Sequence, residues 1–255
     1  MVLVTGASSG IGRETANAFA GEGARVALTA RNAGALSAAR DAIRNKGGIA
    51  EAFPFDLLNL GGIPALVEEV HGRFGDSVDV LVNCAGTAVS GFVEDVPLDA
   101  YDFNLRLNFF APLALIKAVI PGMKKKGRGQ IINISSGVGK RGLPCVSPYC
   151  VSKSALNALT ESLRVELAAY RIDVVLVLPG LTETGFSEKA GHYGDCMERF
   201  DTGKMTSPKE VARKIISASR KAKREVILSL RTRAACHLNY WAPRLFDYIL
   251  GRRMR

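Results

Sequence analysis

Short runs of β-branched, apolar residues alternate with longer stretches of helical periodicity along most of the chain. The runs are almost continuously hydrophobic, which is typical of parallel strands that are buried on both faces. They predict seven strands, at Val2–Thr5, Arg25–Thr29, Ile49–Phe55, Val78–Asn83, Gln130–Ser135, Asp173–Leu178 and Glu225–Leu228. Helices are predicted between them near residues 11–22, 33–46, 61–74, 99–121, 148–170 and 208–221. This order predicts an α/β fold, with one doubly wound parallel sheet of about seven strands and helices on both faces.

The composition is that of a globular protein and excludes several other classes. Of the 255 residues, 47% are hydrophobic and 23% are charged, so the chain can bury a sizeable core and is not disordered. Its longest stretch without a charged residue, Val80–Val93, has 14 residues and is interrupted by polar ones. A bilayer span needs roughly 20 apolar residues, and Met1–Val4 is too short for a signal peptide. We therefore expect a cytoplasmic protein without a transmembrane helix.

The cysteines and histidines indicate neither a disulfide framework nor a metal site. The cysteines are odd in number, scattered and never spaced as Cys-x-x-Cys, which favours reduced thiols in the cytosol. They are Cys84, Cys145, Cys150, Cys196 and Cys236. The histidines lie far apart, and none is paired with a cysteine at the spacing of metal ligands. We expect no disulfide and no bound metal.

A glycine-rich turn follows the first predicted strand and leads directly into a helical pattern. It reads Thr5-Gly6-Ala7-Ser8-Ser9-Gly10-Ile11-Gly12. Glycines at a strand-to-helix turn allow the backbone to approach a pyrophosphate, whose charge the free N–H groups and the helix dipole stabilise. Such a turn alone is weak evidence, but its place after the first strand of an α/β pattern favours nucleotide binding.

Tyr149 and Lys153 form a second candidate cluster. Four residues apart on a predicted helix, they share one face, where the ammonium favours the phenolate and brings the pKa of the tyrosine nearer to neutral. By itself, such a pair is more often an ordinary surface pair. Ser136, however, follows the fifth predicted strand, and parallel sheets bind ligands at the carboxyl ends of their strands. Ser136 and Tyr149 are therefore expected to converge on one substrate oxygen.

These motifs together resemble those of the short-chain dehydrogenase/reductase family, over about residues 1–230. The matching pieces are Thr5–Gly12, Asn83–Gly86, Asn108, Ser136, Tyr149-x3-Lys153 and Pro179-Gly180, in the family's order and spacing. The resemblance implies a Rossmann-like sheet, a nicotinamide cofactor and hydride transfer between a carbonyl and an alcohol. Two positions depart from the family's pattern: Cys84, where a second Asn is common, and Thr182, where a branched apolar residue is usual.

The resemblance also implies a role for each residue of the candidate site. Tyr149 would be the general acid/base, and Lys153 would lower its pKa and hold the nicotinamide ribose. Ser136 would position the substrate carbonyl, and Asn108 would hold a water of the proton relay. Ser135 is the weaker candidate for the serine, because strand alternation points it to the opposite face of the sheet.

The residues implied to contact the cofactor lie in the glycine turn and at the carboxyl ends of the other strands. They are Thr5, Gly6, Ser8, Ser9, Gly10, Ile11, Gly12, Arg31, Asn32, Asp56, Leu57, Asn83, Ala85, Gly86, Tyr149, Lys153, Pro179, Gly180 and Thr184.

The end of the second predicted strand indicates which nicotinamide cofactor is bound. A cofactor without a 2′-phosphate is held by a carboxylate at this position, but here Arg31 follows the strand and no acid is present. A guanidinium suits a phosphate, so NADP(H) is favoured over NAD(H). The alternative is a solvated arginine at a strand end. Asp56, which closes the third predicted strand, is implied to contact the adenine, and it could equally cap the next helix.

The expected activity is that of an NADP(H)-dependent oxidoreductase acting on a carbonyl or a secondary alcohol. Apolar residues that can line a pocket favour a lipophilic small molecule, and they are Phe92, Val138, Leu143, Leu181 and Phe186. The irregular segment Gly180–Thr206 is predicted to be a long binding loop with short helical pieces. A non-catalytic, cofactor-binding regulator on the same fold is the alternative, disfavoured because all four catalytic positions are intact. The helices near residues 99–121 and 148–170 resemble those of the family's dimer interface, so a homodimer or homotetramer is expected.

The last part of the chain carries all of the excess charge. The net charge is +10, and residues 203–255 alone have a balance of +11. The chain is therefore divided into a dinucleotide-binding and catalytic domain, 1–230, and a basic amphipathic extension, 231–255, packed on or beside it. No nucleic-acid-binding motif accompanies the charge, so nucleic acid is not an expected partner.

Residues 237–255 of this extension have an amphipathic pattern. Four apolar residues fall at helical spacing on one face, although Pro243 must interrupt the helix; they are Leu238, Trp241, Leu245 and Ile249. Arginines follow at Arg252, Arg253 and Arg255. Such a stretch is typical of helices that lie on anionic membrane surfaces. The alternative, slightly favoured because the stretch is short and broken, is that the apolar face covers the substrate pocket or packs against a partner subunit.

Overall fold

The computed structural model describes residues 1–186, 190–194, 196 and 205–254. Its strands, in chain order, are β1 (Val2–Thr5), β2 (Val26–Ala30), β3 (Ala50–Pro54), β4 (Val80–Asn83), β5 (Val89–Ser90), β6 (Gly129–Ile134), β7 (Ile172–Leu178), β8 (Gly191–His192) and β9 (Glu225–Ile227). Seven of them form one parallel sheet in the order β3-β2-β1-β4-β6-β7-β9, and β5 pairs with β8 separately. The predicted doubly wound parallel sheet is confirmed, and each of its strands lies within two residues of its predicted bounds.

Helices cover both faces of the sheet. They are α1 (Gly10–Gly21), α2 (Ala33–Arg44), α3 (Ile63–Phe74), α4 (Leu98–Leu105), α5 (Ala111–Lys126), α6 (Ser147–Glu166), α7 (Pro208–Arg220), α8 (Leu230–Trp241) and α9 (Pro243–Met254). Alternate residues of β1 show why its sequence is apolar from Val2 to Val4: Val2 and Val4 pack with α1, α2 and α7, whereas Leu3 packs with α3 and α5. A strand that is buried on both faces accepts few polar residues, and the one in β1, Thr5, lies at its carboxyl end.

The strand order creates a crevice beside β1. Val2 of β1 pairs with Val26 of β2 on one side and with Val80 of β4 on the other. The chain therefore builds the sheet outward from β1 in one direction as far as β3, and then returns to build it in the other. Ligands of open α/β sheets bind at this reversal, outside the carboxyl ends of the strands.

The helix predicted near residues 99–121 is longer and is distorted at its centre. It runs from Leu98 to Lys126, with a wider π turn at Arg106–Phe110 between α4 and α5. In the described part of the chain this run alone is long and apolar enough to cross a membrane. Length and composition are weak evidence for a span, because helices of a protein core meet the same criteria. Here Leu115 and Ile116 are fully buried against the sheet.

The prediction of five reduced thiols is wrong. Cys145, which precedes α6, forms a disulfide with Cys196, and Cys84, Cys150 and Cys236 are free. The two bonded residues are 51 positions apart in the chain, but the fold brings their Cα atoms to 5.7 Å, within the range that a disulfide spans. Sequence spacing carries no trace of this proximity, because it arises only when the segment after β7 packs beside the start of α6.

The segment Gly180–Thr206 lies partly outside the described residues. Its described part contains β8, which pairs with β5, and a bridge between Thr182 and Thr206. Short strand pairings therefore appear in a segment that was expected to be a loop with helical pieces. At the end of the chain, Pro243 does interrupt the helix, since α8 ends at Trp241 and α9 begins at Pro243. Arg255 lies outside the described residues.

Candidate active site

The glycine turn connects β1 to α1 at the carboxyl edge of the sheet. Gly6 has a φ of 65°, in the left-handed region that favours glycine. At Gly12 a side chain would overlap the carbonyl oxygen of Gly6, because the first turn of α1 packs directly on the glycine turn. Glycine is therefore required at both positions for the chain to turn this tightly.

The N-terminus of α1 is suited to an anion. The N-cap residue, Ser9, makes no side-chain hydrogen bond to the helix, and the first turn contains no acid. By contrast, Asn32 caps α2 by accepting a hydrogen bond of 2.9 Å from the N–H of Ala35. The first N–H groups of α1 and its dipole are thus available to a phosphate. Thr184 also lies here, because a Cβ on Gly10 would be 3.0 Å from the Cβ of Thr184.

Two of the residues predicted to contact a cofactor make contacts that hold the scaffold. Thr5 Oγ1 accepts hydrogen bonds from the N–H groups of Cys84 and Ala85, at 2.9 and 3.0 Å, and so ties β1 to the segment after β4. Asn83 Nδ2 donates to Asn133 Oδ1 at 2.8 Å and joins β4 to β6. These bonds fix the segment 83–86 beside the glycine turn, and a Cβ on Gly6 would lie 2.9 Å from Ala85 Cα.

Ser136, Tyr149 and Lys153 come together at the same edge of the sheet. Tyr149 and Lys153 are one turn apart in α6, with Lys153 Nζ 5.8 Å from the centre of the Tyr149 ring. The hydroxyl of Ser136, which follows β6, is hydrogen-bonded to the Tyr149 side chain. Lys153 Nζ donates to the carbonyl of Ile134 at 2.9 Å and lies close to Gly86, where a Cβ would be 3.5 Å away. The structure therefore brings together the three side chains that the resemblance singles out.

Burial dominates the titration of the two ionisable groups. It raises the pKa of Tyr149 to about 12, and the hydrogen bond with Ser136 opposes this only in part. Burial likewise lowers the pKa of Lys153 to about 8, because an ammonium loses its hydration there. In both groups burial is the largest cause of the shift in pKa. That Lys153 lowers the pKa of the tyrosine stays a prediction.

Asn108 lies in the π turn and fastens three parts of the site. Its Oδ1 accepts from the N–H of Thr87 at 2.9 Å, and its Nδ2 donates to the carbonyl of Thr87 at 2.8 Å. The same Nδ2 donates to Ser152 Oγ at 2.9 Å, and Ser152 Oγ donates to the carbonyl of Tyr149 at 2.9 Å. Ser152 was not among the predicted site residues. Ser152 lies directly before Lys153 and three residues after Tyr149. This position in the sequence is the signal from which its role could be predicted.

The other serine at the end of β6 contacts α6 and not the Tyr149 side chain. Ser135 is buried, and its hydroxyl donates to Asn157 Oδ1 in α6 at 2.6 Å. This agrees with the alternation that made Ser135 the weaker candidate.

The walls around Tyr149 come from three segments. Phe186 lies against it, with the two ring centres 5.7 Å apart. The tail borders the same edge, because a Cβ on Gly180 would lie 2.7 Å from Ser229 Cβ and one on Gly137 would overlap Thr232. Of the other residues predicted to line a pocket, Leu181 is exposed, and half-buried positions are held by Phe92, Val138 and Leu143.

Arg31 and Asp56 follow the carboxyl ends of β2 and β3. The side chain of Arg31 is exposed, and the structure records no hydrogen bond or ion pair for it among the described residues. Asp56 Oδ1 accepts from the N–H of Leu58 at 3.0 Å and so closes a local turn after β3. Leu57, which lies between Asp56 and Leu58, is buried. The described residues contain no group of three or more His, Cys, Asp or Glu side chains that could hold a metal ion.

Comparison with known proteins identifies the family. The family model described as short chain dehydrogenase matches residues 1–193. Dehydrogenase/reductase SDR family member 7B of Bos taurus is 36% identical over 267 residues, which cover 100% of this chain and 81% of that protein. The chain belongs to the short-chain dehydrogenase family. Its relatives are dehydrogenases and reductases, so this short-chain dehydrogenase is an oxidoreductase that transfers hydride with NAD(P)(H).

Solved structures of the family support the same assignment. A short-chain dehydrogenase from Streptomyces avermitilis is 30% identical with a TM-score of 0.86, over 99% of this chain and 97% of that one. An alcohol dehydrogenase from the archaeon Thermococcus sibiricus, complexed with 5-hydroxy-NADP, is 25% identical with a TM-score of 0.78, over 89% of this chain and 94% of that one.

The residues of this short-chain dehydrogenase fit a nicotinamide dinucleotide. The N-terminus of α1 has no side-chain cap, and the turn before it leaves no room for a Cβ at Gly12. Asn83 Oδ1 is buried beneath this site without a hydrogen-bond partner among the described residues. The open helix terminus and the glycine cradle suit the pyrophosphate of a dinucleotide, whereas the unpaired acceptor needs a donor, such as a ribose hydroxyl.

Proposed function

We propose that this short-chain dehydrogenase uses NADP(H) to interconvert a carbonyl group and a secondary alcohol on a lipophilic small molecule. The observation that carries the proposal is the cluster of Ser136, Tyr149 and the buried Lys153 beside the open N-terminus of α1. Groups with strongly shifted pKa values at the ligand-binding edge of an α/β sheet are typical of acid/base catalysis.

The proposed chemistry assigns one task to each side chain. The bound nicotinamide supplies or accepts the hydride. The hydroxyls of Ser136 and Tyr149 donate hydrogen bonds to the substrate oxygen, and Tyr149 gives its proton to that oxygen during reduction. The ammonium of Lys153, held by the carbonyl of Ile134, favours the phenolate that results. Asn108 as holder of a relay water stays a prediction, since its amide already donates to three protein groups.

The preference for NADP(H) rests on Arg31. It follows β2, where an enzyme that prefers NAD(H) has a carboxylate, and its exposed guanidinium is available to a 2′-phosphate.

A lipophilic substrate is supported by the surroundings of Tyr149. Phe186 packs against the phenol ring, and Leu181 from the same segment is 46% exposed. Apolar walls around a few polar groups are typical of sites for small lipophilic molecules. We also propose a homo-oligomer formed through α4, α5 and α6, which expose Leu98 and Val165 by 84% and 78%. The cytoplasmic location stays a prediction.

Replacing the proposed acid tests the catalytic assignment. Tyr149→Phe removes the transferable proton and leaves the glycine turn intact, so we expect turnover to fall by about 10²–10⁴-fold while NADP(H) binding is retained. Steady-state NADPH oxidation against a carbonyl panel and a nucleotide titration measure the two quantities. Tyr170→Phe is the control, because Tyr170 is exposed after α6. Turnover of Tyr149→Phe within tenfold of the wild type contradicts the assignment.

Replacing Arg31 tests the cofactor preference. Arg31→Ala should weaken NADPH binding by roughly 1.5–3 kcal/mol, because a charge-assisted contact to the 2′-phosphate is lost. NADH binding should be unchanged. Arg40→Ala in α2 is the matched control, since Arg40 pairs with Asp41. Equal losses for both nucleotides would mean that Arg31 is structural and that the preference is set elsewhere.

A further inference from the structure

The outer faces of α8 and α9 form an exposed apolar area, here called the tail surface. Of the sixteen large apolar side chains that are exposed in the described part of the chain, six belong to it. They are Leu230, Tyr240, Trp241, Leu245, Tyr248 and Ile249, exposed by 78%, 76%, 79%, 50%, 57% and 37%. Tyr240 and Trp241 stack edge to face, with ring centres 5.1 Å apart. Exposed apolar residues concentrated in this way mark an interaction site.

Arginines border the tail surface. Exposed positions in the two helices are occupied by Arg231, Arg233, Arg244 and Arg252. The two helices contain a single acid, Asp247, and its carboxylate is paired with Arg141 outside the tail. The guanidinium of Arg252 lies 5.0 Å from the centre of the Tyr248 ring. The charge of these arginines is therefore not balanced within the tail.

We propose that the tail surface docks on a lipid bilayer that contains anionic phospholipids. Tryptophan and tyrosine combine a large apolar ring with a polar group and are favoured where hydrocarbon meets water. Arginine binds phosphate groups through several parallel hydrogen bonds. An apolar helix face bordered by such cations is what lies in the headgroup region of an anionic membrane.

The tail helices are fastened to the protein by their inner sides. Phe246 and Leu250 are buried, and the guanidinium of Arg141 lies 5.4 Å from the centre of the Phe246 ring. Ser229 caps α8 by accepting from the N–H of Thr232 at 3.3 Å. The exposed residues are therefore not required to hold the helices in place. The tail surface is already formed before it contacts a partner.

A second copy of the chain is a poorer occupant of this surface than a membrane. In a two-fold dimer a patch meets the same patch of its partner, so the arginines of two tail surfaces would be brought together. Asp247 cannot relieve the repulsion, because it is already paired with Arg141. An anionic bilayer instead complements the charge.

Docking would bring the active site to the membrane. Ser229 and Thr232 lie against Gly180 and Gly137, and Gly137 directly follows Ser136. The tail surface is therefore on the same edge of the sheet as the catalytic cluster. If the substrate is lipophilic, which rests on the proposed function, it can enter the site from the bilayer without crossing water. Docking itself does not depend on that substrate.

The fluorescence of Trp241, the only tryptophan, reports docking directly. With vesicles of phosphatidylcholine and phosphatidylserine we expect its emission to shift to the blue, and brominated lipids to quench it. The protein should sediment with these vesicles and not with phosphatidylcholine alone. Raising the salt from about 0.1 M to about 0.5 M should release it, because the electrostatic attraction is screened. These measurements need no substrate or cofactor, so their failure is distinct from a failure of the proposed activity.

Matched variants separate the tail surface from the rest of the protein. Leu245→Ser should weaken vesicle binding about tenfold, whereas Ile49→Ser, at a similarly exposed position before β3, should leave it unchanged.

The charge is tested in the same way. The double variant Arg244→Glu/Arg252→Glu should lose at least about tenfold in vesicle affinity. The control Lys125→Glu/Arg128→Glu makes the same change in net charge at the opposite edge of the sheet. It should leave the vesicle affinity unchanged.

Three results would overturn the proposal. The first is a Trp241 emission that phosphatidylserine vesicles do not change. The second is an equal loss of binding in the tail variants and their controls. The third is a molecular mass that falls in Leu245→Ser while the wild type ignores vesicles, which would make the tail surface a subunit interface.

Discussion

Lys153 is expected to destabilise the fold that it serves. Its ammonium is buried, and burial lowers its pKa from 10.5 to about 8. At about 1.4 kcal/mol per pKa unit, this fall means that keeping the charge inside the folded protein costs about 3 kcal/mol. Lys153→Met replaces the ammonium with an apolar side chain and removes that cost. It also removes the hydrogen bond to the carbonyl of Ile134, worth about 1 kcal/mol.

The net expectation is a variant about 2 kcal/mol more stable than the wild type at pH 7. For a chain of this size, that corresponds to a melting temperature higher by about 4–8 °C. The gain depends on pH in a definite direction. Because the folded pKa lies below the unfolded one, the penalty is fully present below about pH 8 and disappears as the pH rises towards about 10.5. The gain should therefore vanish near pH 10.

Thermal unfolding without nucleotide, at pH 7 and at pH 10, measures the size of the gain in stability and the direction in which it changes with pH. Lys125→Met, at an exposed position in α5, is the control. It should leave the melting temperature unchanged at both pH values. Lys153→Met should also lose turnover, which would show that the destabilising ammonium is retained for catalysis. A Lys153→Met protein that melts below the wild type at pH 7, or whose gain is the same at pH 10, would refute this reasoning.

Two further predictions concern the scaffold. Gly12→Ala should lower stability by about 2–3 kcal/mol and abolish nucleotide binding, because the new methyl group overlaps the Gly6 carbonyl. The control is Gly21→Ala, at the end of the same helix with open space around it. It should be neutral or stabilising by up to about 1 kcal/mol. Thermal unfolding and a nucleotide titration compare the two. Cys145→Ser should lower the unfolding free energy by about 2–4 kcal/mol in oxidising buffer. Excess reductant should remove this difference from the wild type. Equal unfolding free energies in oxidising buffer would mean that the disulfide contributes nothing to stability.

The sheet could be predicted from the sequence because its determinants are local. A strand that is buried on both faces needs a mostly apolar run, and the strands of the central sheet have such runs with only a few polar or charged positions, such as Glu51 in β3 and Asp173 in β7. The glycine turn is partly local: Gly12 packs on Gly6, six residues earlier, and Gly6 has a positive φ, but a side chain at Gly6 is also excluded by Ala85, which is far away in the chain. Ser136 and Tyr149 could be paired in advance only because parallel strands end at one edge of the sheet.

Features that depend on distant contacts escaped the sequence analysis. The disulfide of Cys145 and Cys196 joins residues that are 51 positions apart. Ser152 becomes important only through its hydrogen bond with Asn108, 44 residues earlier in the chain. The rise in the pKa of Tyr149 likewise depends on burial by segments that are distant in the chain. None of these quantities has a counterpart in local residue patterns.

The pKa values of the site predict how its two directions of reaction depend on pH. Burial raises the pKa of Tyr149 to about 12 and lowers that of Lys153 to about 8. At pH 7 the phenol keeps its proton and the amine its charge, which is the state that carbonyl reduction requires. We expect kcat/KM for NADPH-dependent reduction to be flat below about pH 8 and to fall above it, as Lys153 loses its proton. Alcohol oxidation starts from the phenolate, so its rate should rise over the same range. Profiles between about pH 6 and about pH 10 test this, and a reduction rate that stays flat to the upper limit would mean that the charge of Lys153 is not needed.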